Sequence, residues 1–253
     1  MAEARQSAAI EQSGAVSGIT QERLAKVFQL ANAIKSGDIK MVRLLIADRS
    51  LVNQKLDPVL TIHGDDAGLT ALMFTAMQIK GWGMATAVAA ANGVVDASDV
   101  IPVEFVDSIK AIAELLIKHG AKVNATTTKG RSALILTVGN RQEIMSEFLI
   151  EHGANVNLKD KEGKAPLTYA AINRDTAEIR LLLDHGANPN LQDKLGRTPL
   201  MYVTANEDYF AAMQLASLTN MKLKDKRGKT VLDIADESKH PDMANFLRER
   251  GAK

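Results

Sequence analysis

The chain repeats itself at a fixed interval. "HGANVNLKDKEGKAPLTYAA", His152 to Ala171, is followed one period later by "HGANPNLQDKLGRTPLMYVT", His185 to Thr204. Five blocks open on glycine and share one pattern: "GLTALMFTA" at Gly68, "GRSALILTV" at Gly130, "GKAPLTYAA" at Gly163, "GRTPLMYVT" at Gly196 and "GKTVLDIAD" at Gly228, at spacings of 62, 33, 33 and 32. A second series closes each unit, from "LLIADRSLVN" at Leu44 through "LLIKHGAKVN", "FLIEHGANVN" and "LLLDHGANPN" to "FLRERGAK" at Phe246. A fixed period of this length points to stacked copies of one supersecondary unit.

One unit can be read from "DKEGKAPLTYAAINRDTAEIRLLLDHGANPN". Asp-x-x-Gly is a tight turn, with Gly163 free to take positive φ. Thr70, Ser132, Ala165, Thr198 and Thr230 then open a short helix, and Pro166 and Pro199 suit its first turn. Ala170 and Ala171 are small enough for close helix packing. Ile179, Leu182 and Leu183 put an apolar stripe on a second helix, which Gly186 ends as a left-handed cap. Such a unit cannot bury its apolar face alone, so neighbours must stack.

This pattern resembles the ankyrin repeat. Thr198-Pro199-Leu200 and, one unit earlier, Ala165-Pro166-Leu167 match the family's Thr-Pro-Leu, and Leu182 to Asn190 matches its Leu-Leu-x-x-Gly-Ala-x-x-Asn. The resemblance spans roughly residues 25–253 as six repeats. It implies an all-α solenoid of stacked helix-turn-helix units with β-hairpin-like loops. The histidine that the family carries after Thr-Pro-Leu is replaced by Met73, Ile135, Thr168, Met201 and Asp233, so its usual hydrogen bond is expected to be missing.

The period breaks twice. The interval from Gly68 to Gly130 is nearly twice the spacing of the later blocks, and the excess falls at about 80–104, "KGWGMATAVAAANGVVDASDVIPVE". This stretch holds the only tryptophan, Trp82, between Gly81 and Gly83, and Pro102 reads as the first turn of a lengthened second helix reaching Lys118. A smaller insertion at about 54–64 lengthens the first hairpin. Either can be packing cover for the end of the stack or a recognition loop, and both roles can coexist. Residues 1–18 read as a flexible N-terminal segment and 19–253 as the repeat domain.

Composition narrows the chemistry. There is no cysteine, which removes disulfides, thiolate catalysis and cysteine metal sites. A net charge of +1 gives no overall attraction for nucleic acid or anionic membrane. No transmembrane run or signal-peptide stretch is present, which leaves a cytoplasmic location or a periplasmic one with its signal removed. The alanine- and methionine-rich style reads as bacterial. His119, His152 and His185 recur before the glycine and read as helix-end side chains that bond the hairpin. Stacked helices lie ~8–10 Å apart, too far for equivalent histidines to share an ion. Phosphate-loop and nucleophile-elbow patterns are absent. The reading is therefore no catalytic residues, no metal and no cofactor.

The turn tips carry Lys129, Arg131, Lys161, Lys164, Lys194, Arg197, Lys226, Arg227 and Lys229, set against Glu162, Asp160, Asp193 and Asp225. In a solenoid these align as a strip. It is either an ordinary solvated face or a site for an acidic patch on a partner. No stacking aromatics interleave it, which argues against nucleic acid. The resemblance implies a non-catalytic protein-binding module, with contacts at Thr128, Lys129, Arg131 and Asn140; Lys161, Glu162, Lys164, Ile172 and Asn173; and Lys194, Leu195, Arg197, Ala205 and Asn206. Trp82 and its insert are expected to join that surface. Without an appended effector domain the chain is expected to act as a monomer that blocks or sequesters a protein, for example by inhibiting an enzyme. An assembly scaffold and a host-directed effector are the alternatives.

Overall fold

The computed structural model describes residues 21–54, 69–78 and 103–252. The N-terminal segment, most of both insertions, Trp82 and Pro102 lie outside the described residues. Among those described there are twelve helices and no strand. They fall into six consecutive pairs: α1 Gln21–Ser36 with α2 Ile39–Ile46, α3 Ala71–Ala76 with α4 Val103–Lys118, α5 Ala133–Gly139 with α6 Glu143–Glu151, α7 Pro166–Asn173 with α8 Thr176–Asp184, α9 Pro199–Ala205 with α10 Tyr209–Ala216, and α11 Val231–Glu237 with α12 Pro241–Glu249. The first helices pack in series from α1 to α11, and the second helices form a parallel row behind them. The long α4 ends at Lys118, as the sequence predicts.

The short first helices owe their existence to caps and burial rather than length, since helices of six to eight residues are unstable alone. Thr70, Ser132, Thr198 and Thr230 each accept a hydrogen bond from the backbone N–H three residues on. Ala165 lacks such a side chain, and Pro166 takes the first turn instead. Every residue from Ala133 to Val138 is buried. The missing family histidine is compensated in the last unit. Asp233 Oδ2 accepts from both the backbone N–H and the hydroxyl of Thr230, each at 2.8 Å. A carboxylate there closes the capping box from the opposite side.

Between the helices of a pair the chain must reverse, and Arg141, Arg174, Glu207 and Lys239 do so at φ of 58°, 56°, 55° and 59°. Left-handed backbone costs a non-glycine residue about 1–2 kcal/mol. Three of these side chains reach the next unit. Arg141 donates to the Asn173 carbonyl, Arg174 approaches Asp208 at 3.7 Å, and Glu207 meets His240 at 3.2 Å.

The helix-end histidines do not bond the hairpins. His119, His152 and His185 each place Nδ1 at 2.8, 2.7 and 2.9 Å from the carbonyl four residues back in their own helix. Each of those carbonyls also accepts the histidine's own backbone N–H, so the ring adds a second bond within the last turn rather than reaching past the glycine. The units are linked by asparagines. Asn124 Nδ2 donates to the Gly153 carbonyl at 3.0 Å while its Oδ1 accepts from the Asn155 N–H at 2.8 Å. Asn53, Asn157 and Asn190 repeat the same two-sided clasp onto the following unit.

Candidate functional site

The turn tips are built from the aspartate inward. Asp160 Oδ1 accepts from the backbone N–H groups of Glu162 and Lys164 at 2.9 and 2.8 Å, and Gly163 turns the chain at φ 77°. Asp193 and Asp225 do the same for the next two tips. All three aspartates are buried. They do not balance the basic strip at the surface, as the sequence suggests, but are buried with Oδ1 occupied by the turn. The tips themselves are joined in series. The backbone N–H of Lys161 donates to the Lys129 carbonyl, that of Lys194 to Glu162 and that of Lys226 to Leu195, each at 2.9 Å. The third-unit tip closes differently, through an isolated antiparallel bridge between Thr126 and Ser132, with Thr127 in the aspartate's place.

Two tyrosines that the repeat pattern does not single out lock tip to helix. Tyr169 Oη donates to Asp160 Oδ2 at 2.6 Å, and Tyr202 Oη to Asp193 Oδ2 at 2.5 Å. Burial, then the neighbouring aspartate, pushes the Tyr202 hydroxyl up to about 12, and Tyr169 moves the same way. Both phenols therefore stay protonated donors at neutral pH. Their rings also carry cations: Arg131 and Lys164 lie 5.7 and 6.0 Å from the Tyr169 centroid, and Arg197 lies 5.6 Å from Tyr202. The signal in the sequence is a tyrosine at the same place in two consecutive units, where the third and sixth units have Leu136 and Ile234.

The structure thus brings Lys129, Arg131, Lys161, Glu162, Lys164, Lys194, Leu195 and Arg197 onto one edge. Lys161, Glu162, Lys194 and Leu195 are exposed there. Lys194 and Glu162 form only an open pair at 3.9 Å. The last tip is more neutralised, because Arg227 and Lys229 both meet Glu237, at 2.8 and 2.7 Å. Asn140, Ile172, Asn173, Ala205 and Asn206 lie at the other end of the first helices, about 10 Å away at about 1.5 Å per residue. Asn173 is not a free contact residue. Its Nδ2 donates to the carbonyls of Val138 and Gly139 at 3.2 and 3.0 Å, tying the fourth unit to the third. Asn140 likewise bonds the Leu136 carbonyl at 2.7 Å.

Among the described residues no group of three or more histidines and carboxylates stands at metal-binding distance. No helix among them is long and apolar enough to cross a membrane. The family model for ankyrin repeats, in three copies, matches residues 104–193 and 178–253, more than half of the sequence. The chain belongs to the ankyrin-repeat family. Ankyrin repeats generally mediate protein–protein interaction and are generally non-catalytic. No curated protein matches the chain.

Proposed function

We propose that this ankyrin-repeat chain binds a protein partner through its stacked tips and the adjoining ends of the first helices, and acts by occupying that surface. Blocking or sequestering the partner, for example inhibiting an enzyme, is the mechanism this reading favours. The observation that carries it is the polarity of the tips. The aspartates of the fourth and fifth tips are buried and held by two backbone N–H groups and a tyrosine hydroxyl each. The third tip has Thr127 in that place, so the outward side chains of the third to fifth units are dominated by Lys129, Lys161, Lys164, Lys194 and Arg197. The backbone bonds from tip to tip hold those cations in a fixed row, which lowers the entropy cost of meeting an acidic surface. Leu195, 54 % exposed, adds apolar area within the row. Trp82 and the 80–104 insert belong to the same proposed surface, on the sequence argument that tryptophan is enriched in interface hot spots.

Reversing three of these charges tests the reading. A K161E/K164E/R197E chain is expected to keep its helical spectrum and to associate with its native partner roughly tenfold or more slowly at low salt, with a flattened salt dependence. Unchanged association rates would return the strip to an ordinary solvated face.

A further inference from the structure

Glu178 breaks the register of the core. It lies on α8 and is completely buried, where the second, third, fifth and sixth units carry Ile112, Met145, Ala211 and Met243, all equally buried. Its neighbours depart in the same way. Ser146 Oγ stands 2.7 Å from Glu178 Oε1 and 3.0 Å from Thr137 Oγ1, and both hydroxyls are fully buried. Other units have Ala113, Ile179, Ala212 and Ala244 in the place of Ser146, and the later units have Ala170, Val203 and Ala235 in the place of Thr137.

This polar trio sits where the apolar core divides. One cluster runs from Val27 to Met145, Phe148 and Leu149, and the other from Leu134 and Val138 through Ile179 and Leu182 to Ala252. The division runs through the third unit, where Leu136, Met145 and Leu149 belong to the first cluster and Leu134 and Val138 to the second, beside its joint with the fourth. Proton counting gives it two states. Thr137 Oγ1 donates to the Leu134 carbonyl at 3.0 Å, so the single Ser146 proton serves either Thr137 or Glu178. With Glu178 protonated a relay closes, from Glu178 to Ser146 to Thr137 to the carbonyl. With Glu178 ionised, Ser146 turns to the carboxylate and the relay opens. Glu178 Oε2 has no hydrogen-bond partner, so the ionised form holds a charge out of water.

We propose that Glu178 makes the joint between the third and fourth units a proton-sensitive hinge, closed when its carboxyl is protonated and loosened when it ionises. The charges around it do not offset ionisation. Asp175 caps its own helix, with Oδ1 accepting the Glu178 N–H at 3.2 Å, and α6 brings Glu143 near it, with Glu147 exposed beyond. The α5, α7 and α10 helices carry no charged side chain. Arg174 is engaged by Asp208, the cap of α10, and Arg180 by Asp184. Burial raises the carboxyl most, up to about 7; the Ser146 bond opposes the rise, and Asp175 and Glu143 add to it. An acid raised on folding binds more protons folded than unfolded. Stability is therefore full below about pH 4.5, the ordinary carboxyl value, declines as pH rises towards 7 and levels off above it.

The test is amide hydrogen exchange on the whole chain between pH 5 and 8, corrected for intrinsic rates, with Glu178→Met, Glu178→Gln and Ser146→Ala variants. Methionine is what the third and sixth units already carry there, so Glu178→Met preserves packing. In the parent chain, opening of α6 and α8 is expected to rise by on the order of a hundredfold across that range. Both Glu178 variants should abolish the rise, and Ser146→Ala should move it to higher pH. Exchange in α6 and α8 that follows intrinsic rates alone, or a rise that persists in Glu178→Met, would overturn the proposal.

Discussion

Replacing Leu182 with Ala is expected to cost roughly 2–5 kcal/mol of stability, measured by urea unfolding. Leu182 is completely buried on α8, in the cluster that also holds Leu167 of α7, Ile179 of α8 and Leu215 of α10. Truncation leaves a cavity that short, mutually constrained helices cannot collapse into. Its position in the fourth unit adds a second expectation. In a nearest-neighbour stack, weakening an interior unit uncouples its two sides, so the transition should also broaden. A change within a few tenths of a kcal/mol would place the wrong face of α8 against the core.

The second large effect separates two kinds of glycine. Gly163 and Gly186 have nearly the same backbone, φ 77° and 81°, so an alanine at either carries the left-handed penalty of about 1–2 kcal/mol. Their surroundings differ. A Cβ on Gly163 would stand 2.9 Å from the Lys194 nitrogen and 3.1 Å from Asp193 backbone atoms, whereas at Gly186 nothing lies within 4 Å. The backbone bond from Lys194 to Glu162 must then open, and overpacking adds about 1–3 kcal/mol. Gly163→Ala is therefore expected to cost roughly 3 kcal/mol or more, and Gly186→Ala only the conformational part. Equal losses at the two positions would mean that the tips are not in contact.

These contrasts show what the repeat makes legible. Whatever recurs with the period can be read from the chain: the capped first helices, Pro166 and Pro199 at their starts, the left-handed glycines and the apolar stripe through Leu182. Periodic positions see the same neighbours in every unit, so one unit interprets the rest. What the repeat hides are bonds whose partners belong to the next unit. The asparagine clasps at Asn124 and Asn157, and the reach of Arg141 and Arg174 along the turn rim, depend on a neighbour that no single unit contains. The histidines are legible as helix-end residues, but their acceptor is not, because distance along the chain does not reveal which carbonyl an imidazole meets. Departures from the repeat are the other blind spot. Tyr169, Tyr202 and Glu178 occupy apolar positions of their sister units, and only the folded surroundings show that each has a polar partner.

The proposed surface competes with exposed apolar side chains on the row of second helices. Phe210 and Met213 lie one turn apart on α10, 72 % and 49 % exposed, on the row of second helices. Hydrogen exchange on the complex with the native partner distinguishes the two most directly. Protection is expected to concentrate in the tips around Lys129, Lys161 and Lys194, at the first-helix ends near Asn140, Asn173 and Asn206, and in the 80–104 insert. Protection confined to α10 and its neighbours in the second row, with the tips exchanging as in the free chain, would contradict it.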